Sequence, residues 1–158
     1  MNKKINLIWL LSLLMMVQVG FVSCNKDDDD DVVVSTADLK TAIIGTWKEL
    51  SDELYMDNKV VKEESIYHDD NNYYVFEFKS DGTYLDRKFK DGKEVENYDY
   101  SGTWTLDGDK ITFSNEPDDI RKVTIKGNTL TLSYDDGSYT DDSGVEHKFT
   151  IVCTYKKQ

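Results

Sequence analysis

Asp81-Gly82, Asp91-Gly92, Asp107-Gly108, Gly127-Asn128 and Asp136-Gly137 interrupt the chain at short intervals, and apolar and polar side chains alternate in the runs between them. Such pairs supply the positive φ that tight hairpins require. Tyr74, Phe76 and Phe78 alternate with Val75, Glu77 and Lys79; Tyr98, Tyr100, Trp104 and Leu106 share one parity; Leu130, Leu132 and Tyr134 share another. Phe149, Ile151, Cys153 and Tyr155 alternate with Thr150, Val152 and Thr154. A period of two puts each set on one face of a strand, and consecutive short-looped hairpins make an antiparallel meander. A long meander closes on itself to protect its edges. The expected fold is therefore all-β, an antiparallel up-and-down barrel of about eight strands.

The strands are expected near residues 44–54, 60–67, 73–79, 83–90, 94–106, 109–114, 120–126, 128–134 and 146–156. The run 60–67 has the poorest alternation, and 139–145 reads as loop or hairpin tip. Pro117 is expected in the loop 115–119, outside any strand, because it cannot donate to a ladder. Ahead of the strands, Ser35 offers an N-cap hydroxyl and Leu39, Ala42 and Ile43 an apolar stripe, so one short helix is expected. Cys153 falls with the apolar set, which predicts a buried structural thiol.

The first two dozen residues have a different texture. Lys3 and Lys4 precede the uncharged run from Ile5 to Val22, the order of a secretory signal peptide. Phe21-Val22-Ser23-Cys24 resembles a bacterial lipobox, in which the cysteine becomes the first residue after cleavage and its thiol takes a diacylglycerol. Each buried methylene of such chains contributes about 0.8 kcal/mol, so two or three chains anchor firmly. The division expected is residues 1–23 as a lipoprotein signal peptide, 24–34 as a lipidated acidic tether and 35–158 as the barrel domain.

Cleavage before Cys24 removes Lys3 and Lys4 from 19 basic residues and leaves 17 against 31 acidic ones, a net charge of about −14. That charge excludes nucleic acid as a partner and disfavours a bare anionic membrane surface. With Cys24 acylated, Cys153 has no cysteine to pair with. The run Asp27 to Asp31 repels itself and stays solvated. Cys24-Asn25-Lys26-Asp27-Asp28 resembles the surface-export signal of Bacteroidota lipoproteins, which implies an outer-membrane location facing the cell exterior, with Lys26, Asp27 and Asp28 as the signal. A plain flexible acidic spacer on a periplasm-facing lipoprotein is the alternative.

Gly45-Thr46-Trp47 follows the short helix and opens the first strand, and Gly102-Thr103-Trp104 recurs within SGTWTLDGDKITF, with FEFKSDGTY upstream. These phrases resemble the lipocalin-like domain of Bacteroidota lipoproteins across roughly residues 40–156. The resemblance implies a lipocalin-like barrel with Trp47 plugging its base. The alternative is that Trp47 and Trp104 are simply large core residues. The chain departs from animal lipocalins in lacking a Thr-Asp-Tyr segment mid-chain and an arginine near the C-terminus to pack over Trp47. Lys156 and Lys157 are the only late cations.

No nucleophile elbow, phosphate-cradling glycine loop or metal-spaced histidine pair is present, so no enzyme activity, cofactor or metal is expected. His68 and His147 lie far apart beside acidic residues, and both are expected to face solvent. Asp135 to Gly144 clusters four carboxylates, and the twelfth residue counted from Asp135 is Glu146. The sixth is Thr140 where a calcium loop has glycine, so the stretch reads as a solvated hairpin tip, with calcium as its alternative. The function expected is a lipid-anchored barrel, held to the membrane through Cys24, that binds a small apolar or amphipathic ligand at its open end. A filled barrel serving an envelope protein partner is the second reading.

Overall fold

The computed structural model describes residues 32–98 and 100–158. Cys24, Lys26, Asp27 and Asp28, and with them the expected boundary between residues 23 and 24, lie outside these residues. Helix α1 (Leu39–Ala42) is followed by β1 (Gly45–Met56), β2 (Lys59–Val60), β3 (Ile66–Tyr67), β4 (Tyr73–Phe78), β5 (Thr83–Lys90) and β6 (Lys93–Glu94). Then come β7 (Tyr100–Asp107), β8 (Lys110–Phe113), β9 (Glu116–Lys126), β10 (Thr129–Thr140) and β11 (Glu146–Lys157). Eight of these strands pair antiparallel in chain order, and β11 returns to β1 to close a barrel. Strands β2, β3 and β6 are two-residue additions along β1 and β5. The meander with one short helix is the architecture that the turn spacing and alternation predicted.

One end of the barrel is packed shut. Trp47, Phe78, Ile111, Ile125, Leu130 and Leu132 are buried there, and Leu39 and Ile43 of the helical segment close over them. Each aliphatic side chain so buried contributes about 1.5–3 kcal/mol. Gly45 adopts φ +134, a conformation open to glycine, as the chain turns from the helix into β1. The indole of Trp47 donates to the Ile43 carbonyl at 2.7 Å, and that of Trp104 donates to the Thr83 carbonyl at 3.1 Å.

Several elements differ from the sequence expectation, each for a local reason. The weakly alternating run 60–67 is not one strand but β2, a 3-10 turn over Lys62–Glu64 and β3. An Asp57-Asn58 turn, both residues at positive φ, joins β1 to β2 without any glycine. Pro117 lies inside β9, contrary to expectation. It is tolerated because β9 pairs with β8 only at Glu116, Arg121 and Lys122, and with β10 only from Lys122 onward, so Pro117 owes no ladder bond. Asp136-Gly137 is not a turn: a register shift between Asp135 and Gly137 makes it a bulge within β10. That strand runs on to Thr140, and the true hairpin tip is residues 141–145.

A second bulge governs the interior. Glu49 pairs with Tyr155 and Ser51 with Thr154, which leaves Leu50 as the extra residue of β1. Before it, the odd-numbered Trp47 and Glu49 face the barrel; beyond it, the even-numbered Asp52 and Leu54 do. One inserted residue thus puts two acids three positions apart onto the same inner face.

Candidate functional site

Above the packed base the barrel opens into a cavity of about 770 Å³. Its lower wall carries Phe76, Tyr84, Phe113 and Tyr155, and toward the mouth come Leu54, Ile66, Tyr74, Tyr98, Tyr100, Tyr134 and Ile151. Among these rings stand Glu49, Asp52, His68, Asp86, Arg121 and Cys153. The volume falls in the range of small-molecule sites, and the mixture of rings with a few convergent polar groups is their usual chemistry.

The strands set these positions. Tyr84 and Asp86 are both buried, two residues apart on one face of β5. Glu49 and Asp52 come from β1 across its bulge, and Cys153 faces in because it pairs with Asp52. His68 follows β3, and its amide donates to the carbonyl of Leu50, the extra residue of the bulge, at 2.8 Å. The distortion that brings the acids together therefore also captures the histidine. Its ring packs edge-on against Tyr74 at 5.5 Å, and its side chain is only 9% exposed. The solvent-facing position expected of His68 is thus overturned.

Burial shapes the protonation of these groups. Burial, with Asp52 close by, pushes the Glu49 carboxyl up to about 8, and the Tyr155 hydroxyl beside it partly offsets the rise. Burial lifts Asp86 to about 6 even though the Tyr98 hydroxyl donates to it at 3.2 Å. The Cys153 thiol is pushed up by burial and by Asp52. Arg121 is held as a cation by Asp119 at 2.7 Å and Glu116 at 2.6 Å, and its guanidinium lies over the rings of Tyr134 and Phe113.

Five side-chain atoms among the described residues are buried without a protein hydrogen-bond partner: Asp52 Oδ1, His68 Nε2, Tyr84 Oη, Asp86 Oδ1 and Arg87 Nε. All but the last belong to residues that line this cavity. A buried polar atom left unpaired costs about 1–3 kcal/mol, so its concentration in one place calls for a partner from outside the chain.

The two tryptophans singled out in the sequence lie away from these groups. Trp47 is wholly buried at the base, and Trp104 is 5% exposed, its ring meeting that of Phe78 edge to face. Where an arginine was missed, Lys157 takes its place: its Nζ lies 5.0 Å from the Trp47 ring centroid and donates to the Ala42 carbonyl. His147 is tied at the mouth rim, with Nδ1 2.7 Å from Asp57 and Nε2 3.4 Å from Asp141, and Tyr139 stacks on its ring. In the acidic stretch 135–144, Asp141 accepts from Ser143 and Val145 and so caps its own hairpin turn.

The family model described as a lipocalin-like domain matches residues 43–132, more than half of the chain. No curated protein and no solved structure matches it.

Proposed function

We propose that this chain, which belongs to the lipocalin-like domain family, is a lipid-anchored binding protein that holds a small amphipathic ligand in the open end of its barrel. The fold is in general a non-enzymatic one for binding small ligands. One observation carries the finer reading: a cavity of about 770 Å³ whose lining includes buried polar atoms without protein partners. A wholly apolar ligand would leave Asp86 Oδ1 and Tyr84 Oη unpaired. A ligand with a hydrogen-bonding group at one end satisfies the Asp86 carboxylate and the Tyr84 hydroxyl, while its apolar body lies along Phe76 and Phe113. An open cavity of this size favours a carrier over a filled barrel that works only through its outer face.

The anchor and the location rest on the sequence. Cys24 takes the acyl chains, the acidic tether holds the barrel off the membrane, and Lys26, Asp27 and Asp28 direct it to the outer face of the outer membrane. Cys24→Ala is expected to release the protein from membranes, and retention at high salt would contradict the anchor. Alanine at Lys26, Asp27 and Asp28 is expected to keep the protein anchored but to remove its protease accessibility on intact cells; unchanged accessibility would contradict surface display. The ligand is tested by native mass spectrometry of the protein released gently from its own cells' membranes. A reproducible added mass is expected, and a bare chain mass would turn the reading toward a protein partner.

A further inference from the structure

We propose that Glu49, Asp52, His68 and Cys153 form a site for a divalent transition-metal ion with the coordination chemistry of zinc. The site stands on its own side chains and does not require the organic ligand. Single donor atoms of Glu49, Asp52 and Cys153 all lie within 4.8 Å of one another. His68 Nε2 reaches the same carboxylates, 3.4 Å from Glu49 Oε2 and 3.8 Å from Asp52 Oδ2. Around a tetrahedral zinc with bonds of about 2.0–2.3 Å, neighbouring donor atoms stand about 3.3–3.8 Å apart. The histidine-to-carboxylate distances already match that spacing, while His68 stands outside the set of three whose donor atoms share the 4.8 Å limit, so its ring must close in as the metal binds.

Three further observations point to a metal rather than to an accident of acidic packing. His68 Nε2 has no hydrogen-bond partner although its side chain is about nine-tenths buried, and Asp52 Oδ1 is likewise buried and unpaired. The cation that shares the cavity, Arg121, is held by Glu116 and Asp119, so it leaves the carboxyl groups of Glu49 and Asp52 to another cation. The donor set itself discriminates: imidazole and thiolate with carboxylates suit zinc and its neighbours, whereas calcium and magnesium take oxygen donors. On binding, the Cys153 thiol and the Glu49 carboxyl give their protons to solvent as the sulfur–metal and oxygen–metal bonds form, and the neutral imidazole donates the Nε2 lone pair. The β1 bulge is what assembles the site, because without Leu50 inserted Asp52 would point out of the barrel.

The test uses the full chain carrying Cys24→Ala, so that Cys153 is the sole thiol, stripped with a chelator and titrated with Zn²⁺ and with Co²⁺. One equivalent of Zn²⁺ is expected to bind with micromolar or tighter affinity, and Co²⁺ is expected to give intense tetrahedral d–d bands with a thiolate-to-metal charge-transfer absorption. Cys153→Ser should abolish the charge-transfer absorption. His68→Gln should weaken Zn²⁺ by about tenfold or more. His68 lies between strands, so this variant keeps the test decisive even if the serine variant does not fold. His147→Gln, at the rim histidine, should leave affinity unchanged. No saturable binding, a cobalt spectrum without the thiolate absorption, or affinity indifferent to His68→Gln would each overturn the proposal, as would calcium binding with equal affinity to the same stoichiometry.

Discussion

The two ends of this barrel bury polar atoms under opposite rules. At the base every named polar tip has a partner: the Trp47 indole bonds Ile43, the Trp104 indole bonds Thr83, and Lys157 lies over Trp47 and bonds Ala42. In the cavity, Asp52, His68, Tyr84 and Asp86 each keep an atom buried and without a protein partner. Both ends are built from the same strands, so the difference is not one of folding quality. A satisfied apolar base makes the barrel stable enough to carry an unsatisfied mouth, which is where a ligand gains most from supplying the missing bonds.

The comparison can be broken by substitution. Trp47→Ala removes a wholly buried indole and both of its contacts, and is expected to cost about 3–5 kcal/mol in urea unfolding. A cost below about 1 kcal/mol would mean that the base is not the stabilising end.

The mouth should respond with the opposite sign. The folded protein keeps a proton on Asp86 up to about pH 6, whereas the unfolded chain releases it near 3.8. Its contribution to stability is therefore full below about pH 4 and is lost as pH rises through about 6. The loss is about 2–3 kcal/mol from this group. Asp86→Asn is expected to flatten that part of the pH profile and to stabilise the ligand-free protein at pH 7–8, measured as urea midpoints across pH 3.5–8. A profile unchanged by the substitution would place the acid in water.

The smallest effect sharpens the base. Lys157→Ala removes the cation over the Trp47 ring and the bond to the Ala42 carbonyl, both near solvent, and is expected to cost about 0.5–1 kcal/mol. Lys157→Arg should restore most of it, because a planar guanidinium stacks on the same ring. If alanine and arginine behave alike, the lysine only covers the indole and does not clasp it.

How far the sequence told this in advance depended on whether local pattern survived into three dimensions. The hairpin order was legible because Asp81-Gly82 and Asp107-Gly108 demand turns wherever they occur, and Gly82 and Gly108 do adopt positive φ. Asp86 was legible in principle, since it is the lone acid on the parity of Tyr84, whereas Glu49 shares the parity of Trp47 with Glu53 and parity alone does not separate the two. Asp52 was not, because three residues from Glu49 it belongs to the opposite face until the bulge at Leu50 changes the parity. His68 lies in a segment without alternation, and its inward turn depends on the Leu50 carbonyl that the same bulge leaves free. Period-two reading fails at an inserted residue, and here the inserted residue assembles the site.

A high-resolution crystal structure of the protein purified from its own membranes tests the central claim most directly. The account predicts an open cavity holding a molecule larger than water, with a donor on Asp86 Oδ1 and a polar contact to Tyr84 Oη. Tyr84, Phe113 and Tyr134 collapsed together to close the space, or those two atoms satisfied by waters alone, would contradict it.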